Sequence, residues 1–236
     1  IDVTSTATAW FAPGPSAILY FLTVPDGSVD DVHTATVVLS DVHGNRKFGT
    51  ALDINVVVSN GGGNSLSAHA PLVVPASVTV LPLSLVDGAG TLTLPTIRIP
   101  STVDLAIQSI AGLNQTSSER FEVVQGAAIR YVILPLADGD PLDPTQRGSV
   151  DTNFSVSIEA LDQYDNLAVF EEDDVTITTT SSTTRHVTGS SLIDIRGGLG
   201  STVIADTTDE TITVGLADTE ATGSTVVSTQ VIRIYY

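Results

Sequence analysis

The side chains that could do chemistry in this chain are mostly carboxylates. Twenty-seven Asp and Glu stand against nine Lys and Arg, and the acids bunch. Asp138, Asp140 and Asp143 make the best local group. Asp26, Asp30 and Asp31 make a second, and Glu171, Glu172, Asp173 and Asp174 a third. Hard oxygen donors at this density suit calcium, which takes about six to eight of them. Asp138, Asp140 and Asp143 are therefore the candidate calcium ligands, and calcium is the one cofactor these residue types suggest. None of the groups has the glycine that an EF-hand loop needs at its sixth position. A solvated acidic loop is the competing reading. Trp10 and Phe11, beside Pro13-Gly14-Pro15, are the candidate glycan contacts. An exposed aromatic pair can stack on a sugar, and the same pair can cover a core edge or plug a domain junction.

Other chemistries lack their parts. His33, His43, His69 and His186 have no spacing that suits a zinc site. No Gly-x-Ser-x-Gly elbow occurs, and Gly61-Gly62-Gly63 is not followed by the Gly-Lys-Ser/Thr of a phosphate loop. There is no cysteine, which excludes thiol catalysis, Cys-based zinc sites and iron–sulfur clusters. So many acids offer many carboxylate pairs, but no insertion is long enough to wall a cleft around one. The chain is expected not to be an enzyme. Asn114-Gln115-Thr116 and Asn153-Phe154-Ser155 are glycosylation sequons.

Charge narrows the partners. The net charge is -18 and the pI about 4.1. Such a surface repels phosphate backbones and anionic membranes, so no nucleic acid is expected as a partner. No apolar run reaches membrane-spanning length; the longest, Ala17 to Val24, is strand-sized. The chain has no methionine and begins at Ile1, so it is expected to be a processed form or an excerpt, with any signal peptide already removed.

The elements that must position these residues are strands. Only 15% of residues are charged, and Thr, Ser, Val and Gly fill the deficit. Period-two runs recur at Thr34 to Leu39, Ile54 to Val58, Val78 to Leu83, Phe154 to Ala160, Val175 to Thr179 and Thr211 to Val214. The pattern also repeats across the chain. Asp41-Val42-His43-Gly44-Asn45 follows one alternating strand and Asp162-Gln163-Tyr164-Asp165-Asn166 another. Asp53-Ile54-Asn55-Val56 and Asp174-Val175-Thr176-Ile177 come next at the same offset. Ala17-Ile18-Leu19-Tyr20 matches Ala128-Ile129-Arg130-Tyr131 upstream, and Gly88-Ala89-Gly90 matches Gly198-Leu199-Gly200 downstream. The first copy carries an insertion at Gly61 to Pro75 and the second one at Asp140 to Pro144. Two copies of one strand order predict two tandem immunoglobulin-like Greek-key β-sandwich domains in an all-β chain. The polar run Gly112 to Ser118 sets the expected boundary, giving domains 1–116 and 117–236.

The two Asp-x-x-x-Asn turns resemble those of bacterial Ig-like repeats of the invasin and intimin type. In that family a strand ends in Asp-x-x-Gly-Asn, and a later Gly-rich turn precedes a Thr/Val-rich closing strand. Both elements stand in both copies, except that Asp165 replaces the usual glycine. The resemblance implies an extracellular, cell-surface setting and a structural module: a spacer, S-layer or fibre component. Its partners would be copies of itself or neighbouring domains of a larger surface protein, with glycans as a further class. The rival reading is an adhesive or carbohydrate-binding tip, with a pocket near Trp10 or in the 61–75 insertion. Asp41/Asn45 and Asp162/Asn166 themselves read as turn-fixing residues, since Asp and Asn bond nearby backbone N–H groups.

Overall fold

Alternation builds the sheets. In Thr34–Ser40 the side chains of Ala35, Val37 and Leu39 are buried, and in Asn153–Leu161 those of Val156, Ile158 and Ala160. Such runs place apolar residues on one face of a pleated strand. The computed structural model describes residues 14–15, 18–115, 118–134, 146–150, 153–187, 190–219, 221, 223–226 and 229–235. Among the described residues the regular structure is all strand, so none forms a helix able to cross a membrane.

The first sandwich opens with β1 (Ile18–Phe21), β2 (Gly27–Ser28), β3 (Thr34–Ser40) and β4 (Leu52–Asn60). A small hairpin follows, β5 (Gly63–Asn64) and β6 (Val73–Val74). Then come β7 (Ser77–Leu85), β8 (Ala89–Thr93), β9 (Ser101–Ile107), β10 (Asn114–Gln115) and β11 (Glu119–Val124). One sheet has the order β10-β1-β3-β8 and the other β2-β11-β9-β4-β7.

The second sandwich opens with β12 (Arg130–Ile133), β13 (Gln146–Ser149), β14 (Asn153–Leu161) and β15 (Val175–Thr179). It continues with β16 (Arg185–His186), β17 (Leu192–Ile193) and β18 (Leu199–Ala205). It closes with β19 (Thr211–Ala217), β20 (Thr225–Val226) and β21 (Thr229–Tyr235). Its sheets read β16-β18-β14-β12-β20 and β13-β21-β19-β15-β17. This is the first sandwich repeated strand for strand. Even the parallel pairs recur: β1 with β10 and β2 with β11, then β12 with β20 and β13 with β21. In each copy the entering chain thus starts in one sheet and crosses to the other. The copies differ between β4 and β7, where the first has the β5–β6 hairpin and the second has only β16.

Each sandwich has its own core. Leu19, Leu39, Leu85, Leu105 and Phe121 are fully buried in the first, and Tyr131, Ile133, Ile158, Ile195 and Ile204 in the second. Burying one such side chain contributes about 1.5–3 kcal/mol.

The sheets correct two sequence expectations. Glu119–Val124 pairs antiparallel with β9, and its Phe121 and Val123 lie in the first core. The first sandwich therefore extends through Val124, past the expected boundary at 116/117. The polar run that suggested the boundary includes β10 and leads into β11. The second correction is register. Ile18 faces Ser40 and Leu19 faces Leu39, whereas Arg130 faces Leu161 and Tyr131 faces Ala160. Tyr131 is the counterpart of buried Leu19, not of Tyr20, so the match read from sequence is one residue out. A one-residue slip turns every side chain to the opposite face.

The strand β7 ends its sheet, with Val78, Val80 and Pro82 exposed. Pro82 lies opposite Asn55, whose carbonyl accepts Gln108 N on the β9 side. The pair is a non-hydrogen-bonded one between β4 and β7, so Pro82 turns its missing donor toward the free edge.

Candidate functional site

The repeated turns lead to the most polar part of the interior. Asp41 Oδ1 accepts His43 N and Asn45 N at 2.9 Å each, and Oδ2 accepts Asn45 Nδ2 at 3.0 Å. Asp162 repeats this with Tyr164 N at 2.8 Å, Asn166 N at 2.9 Å and Asn166 Nδ2 at 2.8 Å. Each carboxylate also reaches the chain just ahead of its sandwich's first strand. Asp41 takes Gly14 N at 2.9 Å and Asp162 takes Gly126 N at 3.0 Å. The Asp therefore fixes both the turn and the entering segment. The Asn45 side chain, with backbone donors behind it, holds the Asp41 carboxyl far below the usual carboxylate range. Asp165, the residue that departs from the family pattern, has φ 67°, close to the 81° of Gly44. The turn survives because Asp tolerates the left-handed region. Arg130 pairs with the Asp165 carboxylate.

Several acids within the described residues accept hydrogen bonds from backbone and hydroxyl donors. Asp31 Oδ2 accepts Ser28 N at 2.7 Å and Ser28 Oγ at 3.0 Å, and these bonds lower its pKa. Asp26 Oδ1 accepts Glu122 N at 2.7 Å. Glu171 Oε1 accepts the Tyr131 hydroxyl at 2.9 Å, and Asp174 Oδ1 accepts Ile195 N at 3.2 Å. Asp206 is buried and accepts the hydroxyls of Thr183 and Thr184 and Thr208 N. Burial opposes its charge, but the bonds from Thr184, Thr208 and Thr183 outweigh that and lower its pKa. Among the described residues no three His, Asp or Glu converge as metal ligands. Asp138, Asp140 and Asp143 lie outside the described residues, as do Trp10 and Phe11.

The described hollows differ in their linings, and one of about 310 Å³ is lined by Asp26, Asp31 and His33 among others. One of about 500 Å³ is lined by Asp53, Asn55, Pro82, Ser84, Gln108 and Ile110 among others. Its one carboxylate, Asp53, accepts Ser84 Oγ at 2.6 Å. Another, of about 520 Å³, opens beside the 61–75 insertion between the glycines Gly61 to Gly63, Leu66, Val73 and Pro100. No aromatic or charged side chain lines it. His33 is buried, with Nε2 3.0 Å from Ser28 O and its ring 5.2 Å from that of Phe121.

The feature that the sequence did not announce is the junction between the sandwiches. The tip of the β5–β6 hairpin lies on the outer face of β14. There Glu159 Oε2 accepts Ser67 Oγ at 2.8 Å and His69 N at 3.2 Å, and Oε1 accepts Ala68 N at 2.9 Å. Beside it, Leu167 N donates to Ser65 O at 2.9 Å and Asn166 Nδ2 to Arg98 O at 2.9 Å. Asp30 reaches from the first sandwich to Gln163 Nε2 at 2.7 Å and Ala127 N at 3.0 Å. Tyr164 packs against the first core. Glu159 stands in the outward register of an alternating strand, a position that sequence alone leaves open to water.

No protein-family model matches the chain, and no curated protein does. Among solved structures the chain is similar to FdeC, an Escherichia coli adhesin, at 14% identity and TM-score 0.44 over 92% of the chain. It is similar to invasin, a bacterial integrin-binding protein, at 16% identity and TM-score 0.38 over 92%. A β-glycosidase from Bacteroides vulgatus shows 9% identity and TM-score 0.38, also over 92%. The chain spans 63%, 39% and 24% of those proteins respectively. Bacterial adhesins thus stand among the structures this chain is similar to.

Proposed function

We propose that the chain is a non-catalytic structural module of an extracellular surface assembly, a spacer that sets neighbouring domains apart. The observation that carries this reading is the tandem, strand-for-strand repetition of one sandwich. Repeating a sandwich in tandem gives length, and the carboxylates of Asp41, Asp162 and Glu159 are spent on turns, entering chain and junction. Its partners in this reading are neighbouring domains or further copies of the chain. Asp138, Asp140 and Asp143 are the residues at which calcium would bind, and a calorimetric titration with no heat removes calcium from the proposal.

The test is a binding survey of the purified chain against cultured host cells and a glycan array. A spacer binds neither. Saturable retention that Trp10→Ala abolishes overturns the spacer reading in favour of a carbohydrate-binding tip. Saturable retention that Trp10→Ala leaves unchanged overturns it in favour of an adhesive tip with a different contact. Turnover of a chromogenic glycoside overturns the non-catalytic reading.

A further inference from the structure

We propose that the β5–β6 hairpin is a latch that seats on Glu159 and holds the two sandwiches at one fixed angle. This goes beyond the spacer reading and stands equally for a tip, because it concerns how the two halves move.

The latch has two unlike halves. Among the described residues the hairpin stands in the first sandwich alone; the second has β16 between the matching strands. The carboxylate occurs only in the second. Glu159 faces Leu199 as Val38 faces Ala89, so the position that carries Glu159 in one copy carries an apolar residue in the other. Exchanging the domains would separate the hairpin from its acceptor.

Glu159 lies on the face of its sheet opposite Val156, Ile158 and Ala160, which enter the core. It is nevertheless 2% exposed. The hairpin supplies what a buried carboxylate requires, three donors on two oxygens. A carboxylate removed from water without such donors is strongly disfavoured. Burial of Glu159 and seating of the hairpin are therefore one event. The hairpin tip is itself pre-shaped for it. Ser67 Oγ accepts Ala70 N at 3.0 Å, and Ser65 Oγ donates to Ala70 O at 2.9 Å while accepting Leu72 N at 3.0 Å.

The other side-chain bonds across the junction are exposed or part-buried, so they position the halves while the buried bond to Glu159 locks them. Asn166 holds Arg98 O, and Asp30 holds both Gln163 and Ala127 N. The crossing chain is held from both sides, with Gly126 N on Asp162 and Ala127 N on Asp30. A side chain at Gly126 would come within 2.3 Å of Asp30 Oδ2, so the crossing is close-packed as well.

The experiment uses the whole chain, with NMR relaxation to read the rotational correlation time of each sandwich and small-angle scattering to read the spread of shapes. The wild type is expected to tumble as one body. Glu159→Ala, and separately a chain with residues 65–72 replaced by a short glycine turn, are expected to give two shorter correlation times near that of a single sandwich. Their scattering should broaden while the strand circular dichroism stays. Unchanged tumbling in either folded variant overturns the latch. If Glu159→Ala does not fold, the shortened hairpin decides alone, since it leaves Glu159 open to water. The outcome is independent of the cell and glycan survey.

Discussion

The Ser67 hydroxyl of the first sandwich donates to the Glu159 carboxylate of the second at 2.8 Å, across 92 positions of sequence. Both residues are buried, and neither belongs to a repeated motif. The bond is the buried one among several that tie the two sandwiches together, so it should be visible in stability. Ser67→Ala removes a hydrogen bond to a buried charge, a loss of about 1.5–3 kcal/mol. Urea unfolding followed in each sandwich should show transitions that coincide in the wild type and separate in the variant.

Phe121 tests where the first sandwich ends. It is 1% exposed in the first core although it lies past residue 116. Phe121→Ala should destabilise the first sandwich by about 3–5 kcal/mol and leave the second nearly untouched. A chain cut after residue 116 should lack a cooperative unfolding transition, while one cut after residue 127 should keep it.

Asp162 carries four donors and is fully buried. Asp162→Ala strands them, and each unsatisfied donor costs about 1–3 kcal/mol where water cannot enter. The variant is expected to lose at least about 3 kcal/mol by chemical denaturation. Asp41→Ala should cost less, because Val42, His43, Gly44 and Asn45 are exposed and water can replace the carboxylate.

Asp165 separates backbone from charge. Asp165→Asn keeps tolerance of φ 67° and drops the pair with Arg130, so it should cost less than about 1 kcal/mol. Asp165→Val keeps neither and places a β-branched residue in the left-handed region, at about 1–2 kcal/mol or more. Thermal melts of the two variants check the order.

The lowered carboxyls of Asp41 and Asp206 give stability a direction in pH. Their folded values lie below the ordinary 3.8. Such groups bind more protons when unfolded, so their contribution is complete above 3.8 and is withdrawn as the pH falls through the folded values. The denaturation midpoint should therefore fall between about pH 5 and about pH 2, and the fall should be shallower in Asp206→Asn.

Much of this was legible in the sequence, and the gaps have causes. Ala35, Val37 and Leu39 against Val156, Ile158 and Ala160 gave the paired strands directly, because burial on one face dictates period two. Asp41 and Asp162 were readable as turn residues, since their donors lie within four positions. Their hold on Gly14 and Gly126 was not, because those partners are 27 and 36 positions away. Tyr20 and Tyr131 drew the alignment one residue out because identity of type outweighed the direction of the side chain. Glu119–Val124 was assigned to the wrong side because a polar turn inside a domain and a linker have the same composition. Glu159 gave no signal at all, since only tertiary contact decides whether an outward glutamate is wet. Asp138, Asp140, Asp143, Trp10 and Phe11 lie outside the described residues.

Pro82 on the free edge of β7 has a consequence for growth. A strand arriving from another molecule would find valine side chains to lie against but would lose a rung of the ladder at the proline. Zippering of further chains onto this edge is thereby penalised at its first step. A polymer that this protein enters should therefore not grow by adding strands along the outer edge of β7.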